Sequence, residues 1–269
     1  MEKAAMALKD RRGFASWSVL AILGPLVCLC LWGQASAQEP LRILAAASTI
    51  SAVNEATRLF ARKHGTRVVG VFASSGKLAR QLAAGAPGDL FLSADPKWMN
   101  WAQFQRVIDA GSRRTIFGNR LVLAVTKGSG YKLKITRSLD LPALLGNGRL
   151  AIADPAHAPL GAHAKTALLW MGAWGRLARR ALRLADAAQA RALVERGEAK
   201  FGILYQSDVT ANSWIEAAGV FPPESHRKIR YEIALTRAAA KDAGAQKFHE
   251  WLLGAAAGEI FARFGFEVK

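Results

Sequence analysis

The chain has 269 residues, with 37 lysines and arginines against 20 aspartates and glutamates and a formal net charge of +17. The basic residues are spread along the chain and do not alternate with aromatics as a stacking platform would, which excludes nucleic acid as the partner and leaves a small anion or an anionic membrane surface. Both cysteines, Cys28 and Cys30, lie among the first 37 residues, so disulfides, thiolate catalysis and cysteine metal sites are excluded from everything that follows.

Met1 to Arg12 carries Lys3, Lys9, Arg11 and Arg12, and an uncharged stretch with its apolar heart at Val19 to Trp32 comes next. Ala35-Ser36-Ala37 then supplies the small-x-small triplet that signal peptidase accepts. The apolar core is short for a bilayer span and is interrupted by Pro25, so a cleaved export signal with cleavage after Ala37 is expected. Arg11-Arg12 leaves a twin-arginine route open beside the ordinary one. Removing residues 1–37 takes away four basic and two acidic side chains, leaving 232 residues at a net charge of +15. That length suits one large core or two lobes.

Leu41 to Ala47 reads as a buried strand ending at Ser48, followed by a helix over Ala52 to Lys63 with Val53, Ala56, Leu59 and Phe60 on one face. The phrase repeats with a strand at Arg67 to Phe72, the turn Ala73-Ser74-Ser75-Gly76, and a helix from Lys77 to Ala84. Further strands are predicted at Asp89 to Ser93, Leu121 to Thr126, Arg149 to Ala153 and Phe201 to Tyr205, with helices at His163 to Met171 and Ala188 to Arg196. This alternation means an α/β fold with largely parallel sheets flanked by helices. With two lobes, the chain would cross near Phe117-Gly118-Asn119 and return near Lys228 to Thr236, giving residues 38–117 and 232–269 to the first lobe and 118–231 to the second. An amphipathic tail, Ala245 to Phe264, would pack back on the first lobe, and Arg176, Arg179, Arg180 and Arg183 would share a helix of the second.

Four helix starts are presented by turns, after Ser48, at Ser74-Ser75, at Pro159-Leu160-Gly161 and at Asp186-Ala187. Such turns gather at the carboxyl ends of strands, and their free N–H groups and positive dipole ends favour an anion. The plainer reading makes Ser48, Ser75 and Asp186 ordinary caps of their own helices. Gly70 to Lys77 is not a phosphate-binding P-loop, because five residues separate its glycines and Leu78 stands where Ser or Thr is required. His64, His157, His163, His226 and His249 lack metal-ligand spacing, and no G-x-S-x-G occurs.

The stretches AAAST (Ala45 to Thr49), FASSGKLARQLAAGAPGDLFLSADPKWM (Phe72 to Met99), GNRLVLAV (Gly118 to Val125), ADPAHAP with Gly161 (Ala153 to Gly161, Leu160 apart), ALVERGEA (Ala192 to Ala199), GILYQSD (Gly202 to Asp208) and EIFARFGF (Glu259 to Phe266) run in order through the chain. On these the chain resembles the periplasmic molybdate-binding proteins of ABC importers, which also bind tungstate. The resemblance implies a two-lobed periplasmic binding protein fold of type II, with the ligand cleft between the lobes. It implies that Ser48 and Ser75 give hydroxyl and backbone donors, Leu160 and Ala187 backbone N–H groups, and Tyr205 its phenol to a molybdate or tungstate oxyanion. The metal atom would have no direct protein ligand, no cofactor is implied, and the protein would be a monomeric periplasmic carrier, not an enzyme, serving an inner-membrane permease. Leu160 stands where relatives carry a small residue and Ala187 where they carry a larger aliphatic one, changes that can compensate in volume. A binder of sulfate, thiosulfate or another oxyanion is the alternative, and an enzyme on the same fold a remote one.

Overall fold

A computed structural model describes residues 39–268; the export segment read from residues 1–37 lies outside them. The order of elements is β1 (Leu41–Ala46), α1 (Ile50–His64), β2 (Val68–Ala73), α2 (Ser75–Ala83), β3 (Leu90–Ser93), α3 (Pro96–Phe104), β4 (Arg114–Asn119) and β5 (Leu121–Thr126). Then come α4 (Leu141–Leu145), β6 (Leu150–Ala153), α5 (Pro159–Trp170), α6 (Trp174–Leu177), β7 (Ala181–Leu184), α7 (Ala187–Glu195), β8 (Phe201–Tyr205) and α8 (Gln206–Thr210). The chain closes with β9 (Ile215–Val220), β10 (Ile229–Leu235), α9 (Ala243–Leu253), α10 (Ala255–Arg263) and β11 (Glu267–Val268).

The strands form two sheets, one in the order β11-β4-β10-β3-β1-β2 and the other β7-β6-β8-β5-β9. The chain leaves the first sheet between Asn119 and Leu121 and returns between Val220 and Ile229. Division of the chain into lobes at these two crossings is our proposal. The α/β alternation holds with one amendment, since the sheets are mixed. β1 runs parallel to β2 and β3, and β6 parallel to β7 and β8, because a helical crossover returns the chain to the same end of the sheet. β10 runs antiparallel to β3 and β4, and β5 antiparallel to β8 and β9, because strands adjoining a crossing enter from the opposite end.

Two segments differ from the sequence reading. The amphipathic tail is two helices, broken where Gly254 takes an extended backbone (φ −86°, ψ 169°) that caps both. The four arginines do not share a helix: α6 ends at Leu177, and Arg183 lies on strand β7. Arg176 pairs with Asp140 at 2.6 Å, Arg180 donates to the carbonyls of Gly146 and Gly148, and Arg183 lies 5.9 Å over the ring of Trp174. Three of the four are therefore engaged locally.

Phe117 of β4 anchors the first sheet where the chain crosses. It is buried, and its ring lies 4.8 Å from Tyr231 of β10, 4.3 Å from Phe261 of α10 and 4.5 Å from Phe266. Truncation of such a ring loses its transfer free energy and leaves a cavity. Phe117→Ala is therefore expected to cost about 3–5 kcal/mol in urea unfolding, and a loss below about 1 kcal/mol would show that the tail does not depend on this contact.

Candidate functional site

All four of the turns singled out from sequence meet at one cavity. Ala46, Ala47, Ser48, Ser74, Ser75 and Ala94 of the first sheet's strand ends, with Ala158, Pro159, Leu160, Asp186, Ala187 and Tyr205 of the second's, line a cavity with about 210 Å³ of empty space. All five residues proposed from sequence are on its wall. Larger depressions lie elsewhere, among them one with about 1010 Å³ of empty space between β4 and the α9–α10 corner, but its wall is mainly apolar and offers no comparable convergence of donors.

The cap reading holds for one residue of three. Asp186 is the N-cap of α7, with its carboxylate accepting from Gln189 N at 3.0 Å. Ser48 lies in the tight turn Ala47–Thr49, and Thr49 occupies the N-cap position of α1. Ser75 is the first residue of α2, after the N-cap Ser74. Neither serine hydroxyl is used to cap its own helix. Ser75 is fully buried and its oxygen accepts from Ala94 N at 3.0 Å, which turns the hydroxyl hydrogen away from that neighbour.

Backbone donors come from first turns, where α-helical N–H groups have no intrahelical acceptor. Pro159 takes the first position of α5, so Leu160 carries the first available N–H of that helix. Gly161 lets this turn sit directly on the end of β6, since a side chain there would fall 2.1 Å from the Ala153 carbonyl. Ala187 opens α7 in the same way, and the dipoles of α2, α5 and α7 all point their positive ends at one space. Gly76 N donates to His157 O at 3.2 Å, joining α2 to the turn before α5 across the cleft.

Tyr205 ends β8 with its ring 1% exposed, and its hydroxyl has no hydrogen-bond partner among the described residues. Burial above all, with Tyr231, Asp95 and Asp208 close by, holds its ionisation well above the usual phenol range, so it stays a donor. Beneath it Asp208 accepts from Tyr205 N at 3.1 Å, and burial raises this carboxyl to about 7 despite the opposing charge of Arg191.

The cleft is not free of titratable groups. Asp186 lines the cavity but is committed to its cap, and His163 of α5 lies beside Tyr205, ring to ring at 6.4 Å. Burial, with the added charge of His226 and Arg227, lowers His163 to about 4, so its ring is neutral at pH 7 although Asp95 of the first sheet stands 4.0 Å away. Cations are kept outside: Lys97, Arg227, Lys228 and Arg230 surround the adjoining depression next to His163. Sequence reasoning assigned no role to Asp95 or His163 as a pair, because the two are 68 positions apart, Asp95 at the N-cap of α3 and His163 on α5.

The sequence matches the profile of bacterial extracellular solute-binding proteins over residues 41–267. The chain belongs to that family. It is 41% identical over 248 residues to the molybdate-binding protein ModA of Escherichia coli K12, a match covering 91% of this chain and 96% of the relative. It is 32% identical to the molybdate-binding protein of Haemophilus influenzae over 87% of this chain and 92% of the relative. In fold it matches the periplasmic molybdate-binding protein of Azotobacter vinelandii, with a TM-score of 0.77 at 24% identity over 85% of this chain and 99% of that one.

The two perturbed groups act on stability in opposite senses. Below pH 6.5 the unfolded chain takes up a proton that folded His163 refuses, so stability is lost by roughly 3 kcal/mol between pH 6.5 and about 4. Folded Asp208 keeps a proton up to about pH 7 that the unfolded carboxyl releases near 3.8, so it costs stability as pH rises through that window. In urea unfolding across pH, His163→Gln is expected to flatten the acid loss, and Asp208→Asn to stabilise more at pH 8 than at pH 4. Profiles parallel to the wild type would contradict both assignments.

Proposed function

We propose that this chain is the periplasmic solute-binding component of an ABC importer and that it carries molybdate, and tungstate by the same donors, through Ser48, Ser75, Leu160, Ala187 and Tyr205. The observation that carries this reading is the hydroxyl of Tyr205, without a partner among the described residues and buried in a cavity whose other polar walls also offer donors. A buried hydroxyl left unpaired costs free energy, and an acceptor in the cavity would repay it. Molybdate and tungstate at neutral pH are fully deprotonated tetrahedral dianions, so every oxygen can accept. Phosphate keeps a proton and wants an acceptor, whereas the carboxylate of Asp186 is already bonded to Gln189 N. The identity with molybdate-binding relatives over nine-tenths of the chain supports the same cargo here.

Binding is favoured over catalysis by the serine partners. The oxygen of Ser75 is bonded to Ala94 N and that of Ser48 to the Tyr231 hydroxyl, and among the described residues neither hydroxyl is hydrogen-bonded to a histidine that could act as base. Export follows from the segment at residues 1–37, with cleavage after Ala37 placing the mature chain in the periplasm. Closure of two lobes around the anion would give the permease a shape to read.

Protein purified from the periplasm should show a rise in thermal midpoint with molybdate and tungstate and little with sulfate or phosphate, because a ligand bound only by the folded state stabilises it. A sulfate response equal to that for molybdate would assign the site to sulfate. In calorimetry, Ser48→Ala combined with Ser75→Ala is expected to weaken molybdate binding by about 1.5–3 kcal/mol per hydroxyl. Tyr205→Phe should have opposite effects on two readouts, weakening molybdate binding while raising the stability of the ligand-free protein by roughly 1 kcal/mol. Unchanged affinity in both variants would remove these residues from the site.

A further inference from the structure

Ser48 reaches the cavity from a turn, yet its hydroxyl is held from behind by a chain of buried groups. Its oxygen lies 2.7 Å from the hydroxyl of Tyr231, a fully buried residue of β10. Tyr231 in turn lies 3.4 Å from the side-chain nitrogen of Asn119, at the end of β4 where the chain crosses to the second sheet. Asn119 also binds Ser207 of α8, its nitrogen donating to the serine oxygen at 2.8 Å.

The direction of every hydrogen in this chain follows from Asn119. Its oxygen accepts from two backbone N–H groups, Arg120 N at 2.9 Å and Ser207 N at 3.4 Å, which can only donate. That fixes the amide orientation and leaves its two N–H bonds for Ser207 and Tyr231. The Tyr231 oxygen is thereby an acceptor from Asn119, and its own hydrogen has one partner left, the oxygen of Ser48. Were Ser48 to donate to Tyr231 instead, the phenolic hydrogen would be buried with no acceptor, at the usual penalty for an orphaned group. With Tyr231 donating, the Ser48 hydrogen is released toward the cavity.

We propose that Tyr231 and Asn119 are specificity-determining positioning residues: a one-way relay, Asn119 to Tyr231 to Ser48, compels Ser48 to act as a hydrogen-bond donor to the bound oxyanion. The proposal rests on the reading of the cavity as an oxyanion site. It sharpens that reading, because discrimination against protonated oxyanions then resides in a hydrogen-bond direction set at the crossing strand. Ser75 is polarised in the same sense by Ala94 N, so both serines present hydrogens to the anion.

The test is a double-mutant cycle read by calorimetry with molybdate on protein purified from the periplasm, with folding checked by circular dichroism. Tyr231→Phe is expected to weaken binding about tenfold in the wild-type background and less than twofold when Ser48→Ala is already present, since a residue acting through Ser48 has nothing left to act on. In the same variant the molybdate-to-phosphate selectivity should fall, because a freed Ser48 hydroxyl can turn to accept, while molybdate-to-sulfate selectivity should not change. Equal losses in the two backgrounds, or no loss, overturn the relay and leave the oxyanion reading standing. Absence of any molybdate response in the wild type would overturn that reading instead. Neutron diffraction from deuterium-exchanged wild-type crystals reads the relay without a variant or a ligand: a deuterium on the Tyr231 oxygen aimed at Ser48 supports it, and one on Ser48 aimed at Tyr231 overturns it.

Discussion

The structure depends on a mismatch that it maintains deliberately in one place: donors buried without acceptors. The Tyr205 hydroxyl has no partner among the described residues, and Leu160 and Ala187 stand at first turns where helical N–H groups have no acceptor of their own. Each such group is costly alone. Gathered at one cavity, they form a surface that an ion with only acceptor atoms can satisfy completely.

The surroundings are arranged so that no charge competes for the cavity. Asp186 is withdrawn by capping α7, His163 is kept neutral by burial, and the cations nearby face the outer depression. Neutral donors and helix dipoles can hold an anion firmly without the desolvation penalty that a buried lysine or arginine would bring. The excess positive charge of the chain is of the sign that attracts an anion from a distance.

Much of this was legible in the sequence. The strands β5 and β8 were read to the residue, because continuous apolar runs such as LVLAV and FGILY mark strands buried on both faces. β7 and β9 lie at the edges of their sheet and alternate poorly, as ALRL and IEAAGV show, and sequence reasoning did not find them. Gly254 was passed over inside an amphipathic pattern that continues through it, although the glycine itself was the available signal. The helix starts that carry Leu160 and Ala187 were visible as turns, but their assignment as direct donors came only through family resemblance, since a backbone donor leaves no side-chain signature.

The sequence by itself determined the alternation of strands and helices, the apolar cores, the turns rich in small residues and the absence of cysteine chemistry, because these depend on local periodicity and composition. Tertiary structure alone decided which turns face one another, which serines are caps, and which way a hydroxyl hydrogen points. Ser48 and Tyr231 are 183 positions apart, and Asn119 and Ser207 are 88 apart. Contacts at such separations are set by how the crossing strands join the two sheets, and no window of sequence contains both partners.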